Sequence, residues 1–314
     1  TFTFYPDREW SYGAEVFVEV SYQGQSIERS SFRVRKVPTL VHGFVTSTEG
    51  DLLEGVTVEL IELGYTAKTD KQGSFNFGWG WEAERRIPGG RYRLRINQDG
   101  SVASLGSHES WVTILDAHIN ALGARELPYI TTKQVGSMLV PGQMASLGEG
   151  ALLIDIPSTA LISYPSGQSQ AVVRAGLRRF DETGYPLGWL TYEGFAFSLA
   201  PGGIEVSEPV GITAEMPFIN GTRDYMDMIV QNEEIEPALW ILGLDHDALS
   251  LKPVGIGRVD KSNFTVTAVE PVAFDRLDTV VFAFVMPTQA QRVDQYMDGT
   301  MTFDALIQSI EAQP

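Results

Sequence analysis

The chain contains no cysteine among its 314 residues. Disulfides, thiolate-bound metals and cysteine nucleophiles are therefore excluded outright. No run of 18 apolar residues occurs, so no segment reads as a membrane-spanning helix. Positive charge is scarce: 23 Lys and Arg stand against 40 Asp and Glu, for a formal net charge of -17. Such a surface repels phosphates and anionic lipid, which argues against nucleic acid and polybasic membrane roles. Its plain reading is solubility. Only six of the basic residues are lysine, a ratio without an evident physical cause. The four histidines form no HxH or HxxxH pair, and no GxSxG elbow, Walker loop or GxGxxG helix start is present. Ser198, in GFAFSLAPGG, has no legible His and Asp partners for a triad. The sequence opens at Thr1 without an initiator Met or a signal peptide, and is expected to be a processed form or a segment of something longer.

What remains is ordinary globular material, 43% apolar, long enough for two or three domains. Strand signals dominate. Residues 14–20, AEVFVEV, alternate with period two, and SSFRVRKV follows a Gln23-Gly24 turn as the partner strand. From 40 onward LVHGFVTS, VTVELIEL, SFNFGWGW and RYRLRIN alternate between turns. In TDKQGSF, Asp70 is placed to accept backbone N–H groups and Gly73 to supply positive φ, a structural turn. A calcium loop there would need further acidic ligands, which Gln72 and Ser74 do not supply. Eight further short strands follow residue 151, and their spacing indicates a second sandwich or barrel. In the tail, Phe303, Leu306, Ile307 and Ile310 fall on one face of a helix over about 302–312. Thr302 is placed to cap it, and a helix this short needs a partner, either this chain or another molecule.

Three stretches resemble known modules. Residues 1–37 resemble the last strands of a bacterial immunoglobulin-like domain. The blocks Val41-x-Gly43-x-Val45, Gly55-Val56-x-Val58-x-Leu60, Thr69-Asp70-x-x-Gly73-x-Phe75 and Gly90-x-Tyr92-x-Leu94 resemble the transthyretin-like, carboxypeptidase regulatory-like domain. That resemblance implies a seven-stranded β-sandwich over 38–106, without catalytic residues, of the kind found beside enzymes and within large secreted proteins. Ile154-Asp155-Ile156-Pro157 and the run WILGLDHDALSLKPVGIGRVDKSNFTV resemble sandwiches of bacterial YD-repeat secreted proteins and teneurins, although YD repeats are absent here. The expected architecture is all-β: tandem β-sandwiches with a connector over 107–150, a second sandwich over 151–286, and a tail over 287–314 bearing the short α-helix.

Four features carry candidate chemistry. Phe75, Phe77, Trp79 and Trp81 share one strand face, either core or an exposed aromatic platform. Core packing is favoured; if the strand end is exposed, Trp79 and Trp81 are the ligand-binding candidates, suited to a sugar or a protein. Asp245-His246-Asp247 is the most metal-like triplet, but a hairpin turn is favoured because adjacent residues rarely converge on one ion. Glu233, Glu234 and Glu236, with Asp224 or Asp227, read as solvated loop before they read as a calcium site. Phe303, Leu306, Ile307 and Ile310 are the partner-docking candidates. No metal, cofactor or catalytic residue is expected. The leading functional expectation is a non-enzymatic, extracytoplasmic scaffold or adhesion module that meets a protein partner or the subunits of a larger assembly. A carbohydrate-binding accessory module that meets a cell-surface glycan is the alternative, and a hydrolase with a site within 151–285 is the third.

Overall fold

The computed structural model of the protein describes residues 15–33, 39–78, 87–130, 136–165, 171–179, 185, 194–217, 225, 227 and 237–312. Among these, strands predominate, and no helix is long and apolar enough to cross a membrane. The first element is a hairpin of β1 (Glu15–Tyr22) and β2 (Gln25–Arg33), which pair with each other across a turn at Gln23 and Gly24. Phe17 and Tyr22 are more than half exposed, so the described hairpin buries little of its apolar surface. The remainder of the expected immunoglobulin-like stretch, 1–14 and 34–37, lies outside the described residues.

Seven strands form the next unit: β3 (Leu40–Ser47), β4 (Thr57–Leu60), β5 (Tyr65–Lys68), β6 (Ser74–Phe77), β7 (Gly90–Ile96), β8 (His108–Ile114) and β9 (Ile119–Leu127). They make a three-stranded sheet, β6-β3-β9, facing a four-stranded sheet, β5-β4-β7-β8. The inward residues of both sheets, among them Val41, Val45, Phe75, Val58, Leu60, Leu94 and Ile96, close a single core. Full burial of each such side chain contributes about 1.5 to 3 kcal/mol. The β5–β6 turn follows from its own chemistry. Asp70 Oδ1 accepts from the Gln72 and Ser74 backbone N–H groups, both at 2.9 Å, and Gly73 sits at φ 67. A Cβ on Gly73 would lie 2.6 Å from the Val45 carbonyl oxygen.

The second unit is built on β10 (Ser137–Met138), β11 (Met144–Leu147), β12 (Leu152–Asp155), β13 (Ile162–Ser163), β14 (Val172–Arg179), β15 (Gly194–Ala200), β16 (Glu205–Val206), β17 (Gly211–Glu215), β18 (Ala238–Asp245), β19 (Ser250–Asp260), β20 (Thr265–Ala268) and β21 (Thr279–Phe284). Ten of these form one sheet in the order β10-β14-β15-β21-β18-β19-β20-β17-β12-β11, while β13 and β16 pair separately. The sheet folds over a core that includes Leu152, Ile154, Phe195, Phe197, Ile212, Val266 and Phe282, and its end strands β10 and β11 touch. The stretch expected as a connector, 107–150, is therefore strand-forming. HESWVTI alternates as a half-buried strand does, and β8 and β9 complete the first sandwich while β10 and β11 open the second.

The opposite face of β15, β18 and β21 is covered too, which is why their sequences are apolar without alternation. Its cover is a pair of helices, α1 (Pro287–Met297) and α2 (Phe303–Glu311). Only α2 was expected from the tail. Thr302 Oγ1 accepts the Ala305 backbone N–H at its start, and Asp304 complements the helix dipole. Leu306 and Ile310 are buried against Trp240, Leu242, Val281 and Val293, with Phe303 and Ile307 packed beside them. Of the four residues expected to dock a partner, Leu306 and Ile310 are buried by this chain, while Phe303 and Ile307 are half-buried. At the N-terminus of α1, buried Gln289 turns its Oε1 to the Trp240 indole N–H at 3.1 Å and the Met286 backbone N–H at 3.2 Å.

Candidate functional site at the junction of the two units

The sequence RYRLRI places Tyr92, Leu94 and Ile96 in the first core, so period two turns Arg91, Arg93 and Arg95 outward. Register then sets Trp111 opposite Arg93 and Glu109 opposite Arg95 on the neighbouring strand β8. Arg91 lies 4.4 Å above the Trp111 ring, and Trp111 packs on the helix-covered core of the second unit. The outer face of this sheet is thus partly covered: Glu109 is buried and Arg93, Arg95 and Trp111 are half-buried, while Arg91 stays exposed.

Glu109 is 1% exposed and would be costly to bury alone. Arg95 Nε lies 3.2 Å from its Oε2, and His246 Nδ1 lies 3.4 Å from the same oxygen. Burial pushes the Glu109 carboxyl up, but the His246 contact and the Arg95 charge outweigh it and hold the group below its ordinary value. On the far side of the imidazole, His246 Nε2 stands 3.3 Å from Asp278 Oδ2, within ion-pair distance but without hydrogen-bond alignment. Asp278 is 3% exposed, directly ahead of β21. Burial drives its pKa up to about 6; His246 opposes the shift, and the nearby Glu109 charge reinforces it.

The β18–β19 turn aims His246. Asp245 Oδ1 accepts the backbone N–H groups of Asp247 at 3.0 Å and Ala248 at 2.9 Å. That turn leaves the Asp247 side chain fully exposed and sends His246 inward. Arg93 reaches across to the His246 carbonyl at 3.4 Å while Glu62 holds its Nε at 2.8 Å. Asp245, His246 and Asp247 therefore point to different surroundings, and no group of three His, Asp or Glu able to hold a metal occurs among the described residues.

Other buried polar groups surround the chain of three. The Tyr185 hydroxyl accepts the Glu109 backbone N–H at 3.2 Å, and its ring stacks on His108 with centroids 5.8 Å apart. Burial raises the Tyr185 pKa, with the Asp278 charge adding to it. Burial lowers His108 to about 4, helped by the charges of Arg178 and Arg125. Gly202 and Gly203 allow the second unit to close on the first, because a Cβ at either would strike Ser107 Oγ or Gln98 Nε2.

Glu109, His246 and Asp278 are too deeply buried for a substrate atom to reach them. Their geometry fastens two β-units together. Sequence reasoning weighed His246 only as part of a surface triplet and passed over Glu109 and Asp278. The available signal was three arginines on one strand face of an acidic protein, which require carboxylates close by. Asp70 and Gly73 form the turn described above. Trp79, Trp81, Asp224, Glu233, Glu234 and Glu236 lie outside the described residues, and Asp227 is exposed.

No family model matches the chain, and no curated protein matches it. Among solved structures, a type II cohesin–X-dockerin complex from Acetivibrio cellulolyticus matches 28% of this chain at 17% identity and a TM-score of 0.21. A second complex of that kind matches 32% at 17% identity and a TM-score of 0.22. The chain spans 56% and 65% of those two partners in the comparison. A DUF3823 family protein from Bacteroides ovatus matches 54% of this chain and 91% of its own length, at 9% identity and a TM-score of 0.20. Likenesses of this size are too low to carry any assignment of function.

Proposed function

We propose that the protein is a non-enzymatic β-sandwich scaffold, a secreted or cell-surface segment that holds two β-units at a fixed mutual orientation within a larger assembly. The observation that carries this reading is the Arg95–Glu109–His246–Asp278 junction, in which Glu109, His246 and Asp278 are buried. A desolvated ionic contact has few tolerated geometries, because a displaced partner leaves a buried charge uncompensated. Flexible tethering would not require one. The extracytoplasmic setting rests on the resemblance of residues 38–106 to a module common in secreted proteins, and a cysteine-free chain is compatible with it. Protein partners fit a scaffold of this kind.

The absence of native cysteine makes the test direct. Lys71 and Lys261 sit on exposed turns of the first and second units. Spin labels on a Lys71→Cys, Lys261→Cys variant should give one narrow distance distribution by pulsed electron resonance at mildly acidic pH. A broad distribution at every pH would overturn the scaffold reading.

A further inference from the structure

We infer that the junction is a proton-operated latch: one proton held in the Glu109–His246–Asp278 chain keeps the two β-units locked, and its loss to solvent loosens them. This rests on the scaffold reading and adds a means of regulation to it. A neutral imidazole carries one N–H and one bare lone pair, while an ionised carboxylate only accepts. Both ring nitrogens of His246 lie close to carboxylate oxygens: Nδ1 is 3.4 Å from Glu109, and Nε2 is 3.3 Å from Asp278, the second at ion-pair distance without hydrogen-bond alignment. With both carboxylates ionised and the ring neutral, one lone pair must point at an anion in a desolvated site, which is repulsive.

One added proton removes the conflict in either of two places. On the ring, it lets both nitrogens donate. On Asp278, it lets the new hydroxyl donate to Nε2 while Nδ1–H donates to Glu109. The two arrangements hold the same number of protons and differ only in which atom carries the added one. Loss of that proton to water restores the repulsion and opens the latch.

The surrounding charges decide which carboxylate switches. From β7, Arg93 and Arg95 face Glu109, and Arg95 closes on it at 3.2 Å, so Glu109 stays the permanent anion. His108 and Tyr185 adjoin it on the other side, with Arg178 acting on both. Around the turn, Asp245 and Asp247 flank His246, while Lys252 pairs with Asp245 and Asp275. Arg276 lies near Asp278 but makes its ion pair with Glu205. Asp278 Oδ1 has no hydrogen-bond partner, and the Gln98 amide beside Gly202 has none either. The Thr279 backbone N–H and the Arg276 charge support Asp278, but its burial outweighs both, so it is the less well supported of the two anions.

The test uses the same labelled chain at about pH 6 and about pH 8, two units over which a one-proton equilibrium moves up to a hundredfold. The loosened, broad population should grow by roughly tenfold or more over that interval. Asp278→Asn, whose amide can donate to Nε2 without ionising, should stay narrow at both pH values. His246→Ala should be broad at both; if it does not fold, the Asp278→Asn comparison decides alone. A native distribution that is narrow and identical at both pH values overturns the latch and leaves the scaffold standing. So does an Asp278→Asn variant that loosens as the native chain does.

Discussion

His246 and Glu109 are 137 residues apart in sequence, yet the imidazole Nδ1 of one lies 3.4 Å from the carboxylate of the other. Each comes from a different β-unit, and neither has appreciable access to water. Joining two sandwiches through an ionic contact of this kind makes their cooperation depend on a few side chains.

Glu109→Ala is expected to cost about 3 to 5 kcal/mol, because it strands Arg95 and His246 without the carboxylate that both approach. Urea unfolding should show the loss as a lower midpoint. A change of less than about 1 kcal/mol would mean that water compensates the charges and that the junction is not desolvated.

The acid response has two opposing parts. His108 is held down to about 4 from 6.5. As pH falls through that window the unfolded chain takes up the proton first, so stability declines toward acid. Asp278 is held up at about 6 from 3.8. There the folded chain keeps a proton that the unfolded one releases, so stability declines as pH rises from 3.8 to about 6. Asp278→Asn removes the second part alone. The variant should match the native chain at pH 4 and exceed it by about 2 kcal/mol at pH 8, measured by denaturation at each pH.

Local features were legible because they are encoded within a few residues of one another. TDKQG carries both the acceptor and the positive-φ glycine of its turn, and Thr302 stands where the α2 cap is needed. Helix α1 was legible in principle, since Val293, Tyr296 and Met297 share its buried side behind Pro287. Its glutamines and charges diluted that pattern. The junction was a different matter. A hairpin-turn reading of Asp245-His246-Asp247 describes the Asp245 hydrogen bonds correctly but says nothing of what the His246 side chain meets. That depends on where β8 and β21 arrive, which no local spacing records.

The β5–β6 turn should be intolerant at Gly73 and less so at Asp70. Gly73→Ala meets both a φ of 67 and the Val45 carbonyl, and should cost more than about 1 kcal/mol. Asp70→Ala loses an acceptor shared by two exposed N–H groups, which water can replace, for about 0.5 to 1.5 kcal/mol. Thermal unfolding of the two variants should rank them in that order, and the reverse order would contradict the close approach at Gly73.

Leu306→Ala distinguishes a core helix from a docking helix. Leu306 is fully buried between α2 and the Trp240 face of the sheet, so truncation should cost about 2 to 5 kcal/mol through lost burial and a residual cavity. Gln289→Ala, which takes the shared acceptor from Trp240 and Met286, should weaken the same layer by about 1 to 3 kcal/mol. The sites touch one structural layer, so the double variant should depart from additivity. Were α2 held only by an external partner, Leu306→Ala would leave the unfolding midpoint of the isolated chain unchanged. Tryptophan fluorescence during urea unfolding reads both variants, since Trp240 lies against this layer.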